Sequence, residues 1–213
     1  MTTIYDCSGY RNNGTIVGSL TAAAGSTRYE IATKFSGSGN YIKTTPFYFD
    51  TPDWTVSLWY YNPTAVTSTW EGFICLSKND GSDANKKFAL LFNNAYANNI
   101  WCKVNSGGGR TIPIKINEWT HLTLTSEGKL YENGILKTDS IPPDANITGA
   151  YDLVLGARAS AAGVASTTLS YSGKLSDVRI YATALSAAAV KELYTTSLKI
   201  VSGNPVAREL SEL

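Results

Sequence analysis

The stretch Gly173–Tyr194, "GKLSDVRIYATALSAAAVKELY", changes its period halfway along, and that change decides the fold. From Gly173 to Tyr181 it alternates, with Leu175, Asp177, Arg179 and Tyr181 on one parity and Ser176, Val178 and Ile180 on the other. This is the two-residue period of a strand. After Ser186 it turns alanine-rich and sets Val190, Leu193 and Tyr194 at helical spacing. Ser186 is the expected N-cap, its hydroxyl accepting a free amide proton of the first turn. Leu185 and Val190 stand at hydrophobic-staple spacing, while Ala189 at the third helical position leaves the capping box unmade. A helix of about two turns is unstable alone, so its apolar face must dock on the sandwich, and it is read as a plug for the sandwich edge. Asp177 raises a second question. A carboxylate on the parity of Leu175 and Tyr181 needs a partner, and Arg179 on the same face is one candidate.

Outward from that stretch, short runs rich in Val, Ile, Leu, Tyr and Trp recur between turn-like clusters: "WTVSLWYY", "GFICLSK", "KFALLFN", "NIWCKVN", "WTHLTLTSEGKLYENGILK", "YDLVLGA". No long helical segment lies between them, so the pattern predicts antiparallel sheets packed face to face. "ENG" at Glu132–Gly134 is a hairpin signal, because Asn and Gly tolerate positive φ, and "SEGK" at Ser126–Lys129 supplies another tight turn. "SDANKK" (Ser82–Lys87), "NSGGGR" (Asn105–Arg110) and "ASAAGVAST" (Ala159–Thr167) read as longer loops. The chain is read as a domain over residues 1–194 and a tail over 195–213 that turns back at "SGNP". An isolated hairpin is marginal in water, so the tail should add to a sheet edge of its own domain or of another protomer, a route to a homo-oligomer.

The 213 residues suffice for one large all-β domain. Net charge is +1 with 18 basic and 17 acidic residues, and the cations are scattered, which argues against a nucleic-acid partner. No apolar run reaches membrane-spanning length, so no membrane partner is expected. Cys7, Cys75 and Cys102 lack metal-ligand spacing and read as reduced thiols; a Cys75–Cys102 bridge requires their strands to be neighbours.

The ordered set "YDCSGYRNNGT", "FSGSGNYI", "WTVSLWYY", "EWTHLTLTSEGKLYENG", "YDLVLGA" and "YSGKLSDVRIYATALS" resembles a laminin-G-like domain of the concanavalin A-like lectin/glucanase superfamily, over about Ile4 to Tyr194. The resemblance implies an all-β jelly-roll sandwich of two antiparallel sheets with one short helix near the C-terminus. Such domains bind glycans, bind proteins or serve as structural modules. The opening "YDCSGYRNNGT" and the tail "SLKIVSGNPVARELSEL" further resemble proteins on the virions of tailed bacteriophages. That likeness implies a non-enzymatic virion surface or fibre module, structural and adhesive to host glycans, with other virion proteins as partners. The alternative is a secreted or cell-surface bacterial carbohydrate-binding module.

The superfamily's glucanases set two acids on one strand in a Glu-x-Asp-x-Glu pattern, which this chain lacks. Glu71, Glu118, Glu127 and Glu132 stand singly beside turns, so no enzyme is expected. His121, the one histidine, shares parity with Trp119 and Thr123 and reads as a packed residue. Glycan binding asks for aromatic platforms and a few fixed polar groups. Trp70, Tyr96, Trp101 and Tyr151 lie near loop ends and are candidate platforms, with Asn93, Asn94, Asn98, Asn99 and Arg110 as hydrogen-bonding groups. Trp54, Trp59 and Trp119 read as core, and Trp101, between Ile100 and Cys102, is open to that reading too. The resemblance also implies one structural calcium, held by Asp177, by the segment around Asp6, and by Ser36 and Gly39 of "SGSGN". The Arg179 ion pair is the competing account of Asp177.

Overall fold

A computed structural model describes residues 3–25, 31–64, 70–78, 86–92, 98–105, 108–143, 146, 148–159 and 165–198. It is an all-β sandwich of two sheets and one helix. The eleven-stranded sheet runs in the order β1 (Thr3–Ile4), β2 (Gly14–Val17), β5 (Tyr41–Thr44), β15 (Ala150–Leu155), β8 (Gly72–Lys78), β9 (Lys86–Phe92), β10 (Asn99–Val104), β11 (Arg110–Pro113). β6 (Phe47–Tyr48) pairs with β15, and β16 (Ala157–Ala159) with β17 (Ala165–Ser170) forms a hairpin bridged to β8. The seven-stranded sheet runs β14 (Ile135–Thr138), β13 (Leu130–Glu132), β12 (Trp119–Thr125), β7 (Thr55–Tyr61), β18 (Ser172–Tyr181), β4 (Ile31–Ser36), β3 (Thr21–Ala24).

Alternation puts Val56, Leu58 and Tyr60 of β7 and Leu122 and Leu124 of β12 into the inter-sheet core. Facing them are Phe73, Ile74 and Leu76 of β8, Phe88, Leu90 and Phe92 of β9, and Ile100, Cys102 and Val104 of β10. Trp54 is fully buried there. Asn133 and Gly134 at the β13–β14 turn both adopt positive φ (52° and 76°), as the Asn-Gly signal predicts. β9 separates β8 from β10, and Cys75 lies in a different cluster from Cys102, so the condition for a bridge between them is not met. Burial pushes the Cys102 thiol well up.

The decisive stretch departs from its simple period at one residue. Ser176 pairs with Trp59 and Arg179 with Ser57, so two residues of β18 oppose one of β7. This is a β-bulge, and Asp177 within it adopts φ 48°. The bulge shifts the phase: Leu175 packs into the core before it, and Val178 and Ile180 after it. Asp177 and Arg179 therefore do not continue the apolar parity of Leu175. Their side chains form a two-pronged ion pair, with Nε to Oδ1 at 2.7 Å and Nη2 to Oδ2 at 2.9 Å. The aspartate has two local reasons to be there, since Asp tolerates left-handed φ and the fork satisfies its carboxylate.

The helix α1 (Ala187–Leu198) begins at Ser186, whose Oγ accepts from the Ala189 amide at 3.2 Å. It runs past the expected end at Tyr194, because Trp59 Nε1 donates to Ser197 Oγ at 3.1 Å and holds one more turn. The expected tail thus begins inside the helix, and its remainder, from 199, lies outside the described residues. As expected, α1 docks on the sandwich, meeting the edge strand β14 beside the Gly134 turn. It covers the outer face of the seven-stranded sheet, with Tyr194 stacked on Trp59 (5.7 Å between centroids) and beside His121 (5.9 Å). Gly134 lets the helix approach, since a Cβ there would lie 3.3 Å from Lys191 Cα. Trp59 is accordingly buried outside the inter-sheet core, and Trp119 is half-buried on that outer face against Tyr61.

His121 is 1% exposed, and its Nε2 hydrogen-bonds Ser57 Oγ at 2.7 Å. Burial, with the nearby Arg179 charge, lowers its pKa from 6.5 to about 3. The unfolded chain takes up a proton below pH 6.5 that the folded one refuses, so stability is full above pH 6.5 and falls as pH drops toward 3. We expect chemical denaturation of wild type, compared with His121→Gln, to show an extra loss of about 1.4 kcal/mol per pH unit in that window. Equal slopes would refute the account. For Asp177, we expect Asp177→Asn to cost roughly 1–3 kcal/mol by removing the carboxylate that Arg179 grips. Asp177→Val should cost more, because a β-branched residue also resists positive φ. Equal losses in the two variants would show that the backbone conformation is irrelevant.

Candidate glycan-binding site

The site is built by register on the outer face of the eleven-stranded sheet. Gly72 pairs with Leu91, Leu91 with Trp101, and Trp101 with Thr111, so these four form one row across β8, β9, β10 and β11. In the adjoining row Cys75 pairs with Ala89 and Ala89 with Lys103. The small side chains of that row leave room for β16, whose Ala157 and Ala159 pack on Cys75, Ala89 and Leu91. Gly72 is required by the close approach, since a Cβ there would lie 2.4 Å from the Ala157 carbonyl oxygen. β16 thereby carries Arg158 over the row, and a cavity of about 380 Å³ opens between Trp70, Leu91, Trp101, Lys103 and Arg158.

The two indoles stand at 90° with centroids 5.6 Å apart. Arg158 lies over the Trp70 ring at 5.7 Å and Lys103 over the Trp101 ring at 5.6 Å. Such contacts hold cations at an aromatic wall. Both tryptophans are half-buried. The backbone at Gly109 lies against the Trp101 indole, where a Cβ would fall 2.0 Å from a ring carbon. Trp70 holds φ at 64°, an outlier for a bulky residue. Backbone outliers of this kind cluster at ligand sites.

Of the expected glycan-binding residues, the structure brings Trp70 and Trp101 together. Arg110 pairs with Cys102, a core-facing position, so its parity is opposite to that of Trp101. It is exposed, donates to the Gly109 carbonyl at 3.3 Å, and lies outside the cavity lining. Tyr151 is fully buried in the inter-sheet core and offers no platform. Tyr96, Asn93 and Asn94 lie outside the described residues. Asn98 and Asn99 line no part of the cavity, and the Asn98 carbonyl instead accepts from the Ile114 amide. Lys103, Arg158 and Leu91 were missed, and only the strand order could have found them. The loop expected over Ser82–Lys87 yields its last two residues to β9, where Lys86 and Lys87 are buried. Lys87 Nζ donates to the Thr51 carbonyl and to Asn146 Oδ1, which lets a lysine stand in a strand interior.

The residues expected to hold calcium are not one ligand set. Ser172 is the partner of Ser36, and Asp177 lies five residues further along β18, roughly 15 Å away. Asp6 sits beyond the Gly14 end of β2, where Gly14 pairs with Thr44. Gly39 is near the opposite end, where Val17 pairs with Tyr41. The Asp6 carboxylate accepts from Ser8 N, Ser8 Oγ and Asn12 N at 2.8–2.9 Å. Burial acts to raise its pKa, but these bonds bring it below the usual value. Gly39 N donates to Ser170 Oγ at 3.1 Å. Among the described residues no group of three or more His, Cys, Asp and Glu could hold a metal ion, and no helix is long and apolar enough to cross a membrane.

The chain belongs to the concanavalin A-like lectin/glucanases superfamily, whose laminin-G-like family model matches residues 36–191. No curated protein matches the sequence. Among solved structures it is similar to the receptor-binding domain of botulinum neurotoxin type G, at TM-score 0.64 and 17% identity over 90% of this chain and 48% of that one. The chain thus spans about half the length of that toxin domain. It is similar to domain 4 of AbnA, a GH43 extracellular arabinanase of Geobacillus stearothermophilus solved with arabinotriose, at TM-score 0.64 and 20% identity over 89% of this chain and 91% of that one. A sialidase of Trypanosoma rangeli is a third similar structure, at TM-score 0.56 and 11% identity over 82% of this chain and 29% of that one. These likenesses establish the fold, one used mainly by binding domains and also present in an enzyme.

Because the Trp101 indole lies against the backbone of Gly109, Gly109→Ala should displace it and cost roughly 1–3 kcal/mol. Near-ultraviolet circular dichroism should change with it. Gly108→Ala, whose Cβ would meet Pro142 at an ordinary 3.5 Å, is the control and should leave both unchanged.

Proposed function

We propose that the protein is a non-enzymatic carbohydrate-binding module, and that the Trp70–Trp101 pocket is its glycan site. The observation that carries this reading is the pair of half-buried, perpendicular indoles, Trp101 on β10 and Trp70 just before β8, at the wall of an open cavity. Sugar rings present apolar C–H faces between hydroxyls, and indole surfaces accept those faces while nearby polar groups take the hydroxyls. Among the described residues the cavity lining contains no carboxylate, and glycoside hydrolysis requires two. His121 and Ser57 hydrogen-bond to each other, but both are buried on the other sheet, and His121 lies against Tyr194 of the helix.

The setting we propose is the surface or fibre of a bacteriophage virion, where the module attaches to other virion proteins and adheres to host-surface glycans. This rests on the likeness of "YDCSGYRNNGT" and of the tail to virion proteins. In the structure Asp6 ties that opening segment into a compact loop with Tyr5 and Tyr10 exposed. The similarity to domain 4 of an extracellular arabinanase favours a second reading, a secreted or cell-surface bacterial carbohydrate-binding module. Co-sedimentation with phage particles separates the two.

A glycan array tests the site. Wild type should bind, and Trp70→Gly should lose about 2 kcal/mol or more of affinity, the loss typical of an aromatic anchor. Glycine suits the positive φ at this position, so the melting temperature should change little. Failure of the wild type to bind any glycan, or a Trp70→Gly variant that binds as well as wild type, would overturn the assignment.

A further inference from the structure

We infer that the Trp70–Trp101 pocket selects glycans carrying an anionic sugar, a carboxylate or a sulfate group. This deepens the reading of the pocket as a glycan site and rests on it. Among the described residues that line the cavity, Lys103 and Arg158 are cations and none is acidic. The whole chain carries a net charge of only +1, so this is a local concentration of positive charge and not a property of the surface at large. The two cations arrive from different elements, Lys103 from β10 and Arg158 from β16, and each lies over a different indole.

The geometry gives each part a task. The two indoles stand at right angles and each has a cation within 6 Å of its centroid, so a sugar in the cavity meets both an apolar ring and a positive charge. A guanidinium presents a planar fork of donors that matches carboxylate and sulfate oxygens, and an ammonium adds a point charge. Each cation lies within 6 Å of an indole centroid, so less rotamer freedom is lost when an anion binds. Neutral hydroxyls would gain weaker hydrogen bonds from the same donors. Apolar burial against Leu91 and the indoles supplies affinity common to neutral and acidic sugars, and the two cations supply the discrimination.

The test uses the full chain on an array in which each sialylated, uronic-acid or sulfated glycan is printed beside its desialylated, carboxyl-methylated or desulfated parent. The expected result is a preference of about ten-fold or more for the acidic member of a pair. That preference should shrink as salt rises from about 0.05 M to about 0.5 M. Hits confined to carboxylated or to sulfated members identify which anion is read, and either supports the inference. Lys103→Gln and Arg158→Gln should each reduce the preference while binding to the neutral parents persists. The paired comparison in wild type needs no variant, so a substitution that fails to fold leaves the test intact. Parents that bind as tightly as their acidic partners would overturn the inference and leave the glycan site standing. So would folded variants that keep the full preference. Absence of binding to every glycan would overturn the glycan site itself, and the inference with it.

Discussion

Asp177 and Arg179 form the interaction on which the seven-stranded sheet depends. β18 lies between β7 and β4, and it must bury Leu175 near its start and Val178 and Ile180 near its end. Those residues differ in parity, so a regular strand could not place all three in the core. The bulge resolves the conflict by spending two residues against one of β7, and Asp177 accepts the left-handed backbone that the bulge imposes. Arg179 closes the arrangement by holding the carboxylate in a fork. One local irregularity thus keeps a long strand amphipathic along its whole length.

The rephased strand also shapes what lies outside the sheet. Arg179 pairs with Ser57, which hydrogen-bonds His121, which in turn packs against Trp59 and Tyr194. A charged imidazole has no place in that layer, and the Arg179 charge adds to the penalty of burial. The helix is stable because it covers these groups and satisfies the Trp59 N–H through Ser197, not because twelve residues hold a helix unaided.

The pocket on the opposite sheet is made by what is small as much as by what is aromatic. Gly72, Cys75, Ala89, Ala157 and Ala159 allow a hairpin to lie on the sheet and bring Arg158 to Trp70. Gly109 lets backbone lie on the Trp101 indole and hold its ring. Close packing converts each missing methyl group into a defined position for a functional side chain. The sheets themselves are shared with toxin receptor-binding domains, an arabinanase domain and a sialidase. A shared fold does not set function, and in this chain the pocket is made by side chains on one outer face.

Local chemistry was legible in the sequence. The strand period, the Asn133-Gly134 turn, the Ser186 cap and the packed His121 all follow from residues within a few positions of one another, and each appears in the structure. Trp70 and Trp101 were legible as candidates by type, since amphipathic rings near loop ends are suited to a ligand. Their meeting was not, because it depends on β8, β9 and β10 being neighbours in register. The same limit explains the misplaced residues. Tyr151 resembles a platform until its strand is seen to face the core, and Arg110 resembles a sugar contact until its parity is set by Cys102. Lys87 resembles a loop residue until the Thr51 carbonyl and Asn146 are found beside it. The calcium set linked positions that the register holds apart. The sequence by itself determined the central strands, the Asn133-Gly134 turn and where the helix starts, because backbone preference and side-chain period act over a few residues. The tertiary structure alone decided which faces meet, since register between distant strands is settled by the joint packing of side chains that no single segment contains.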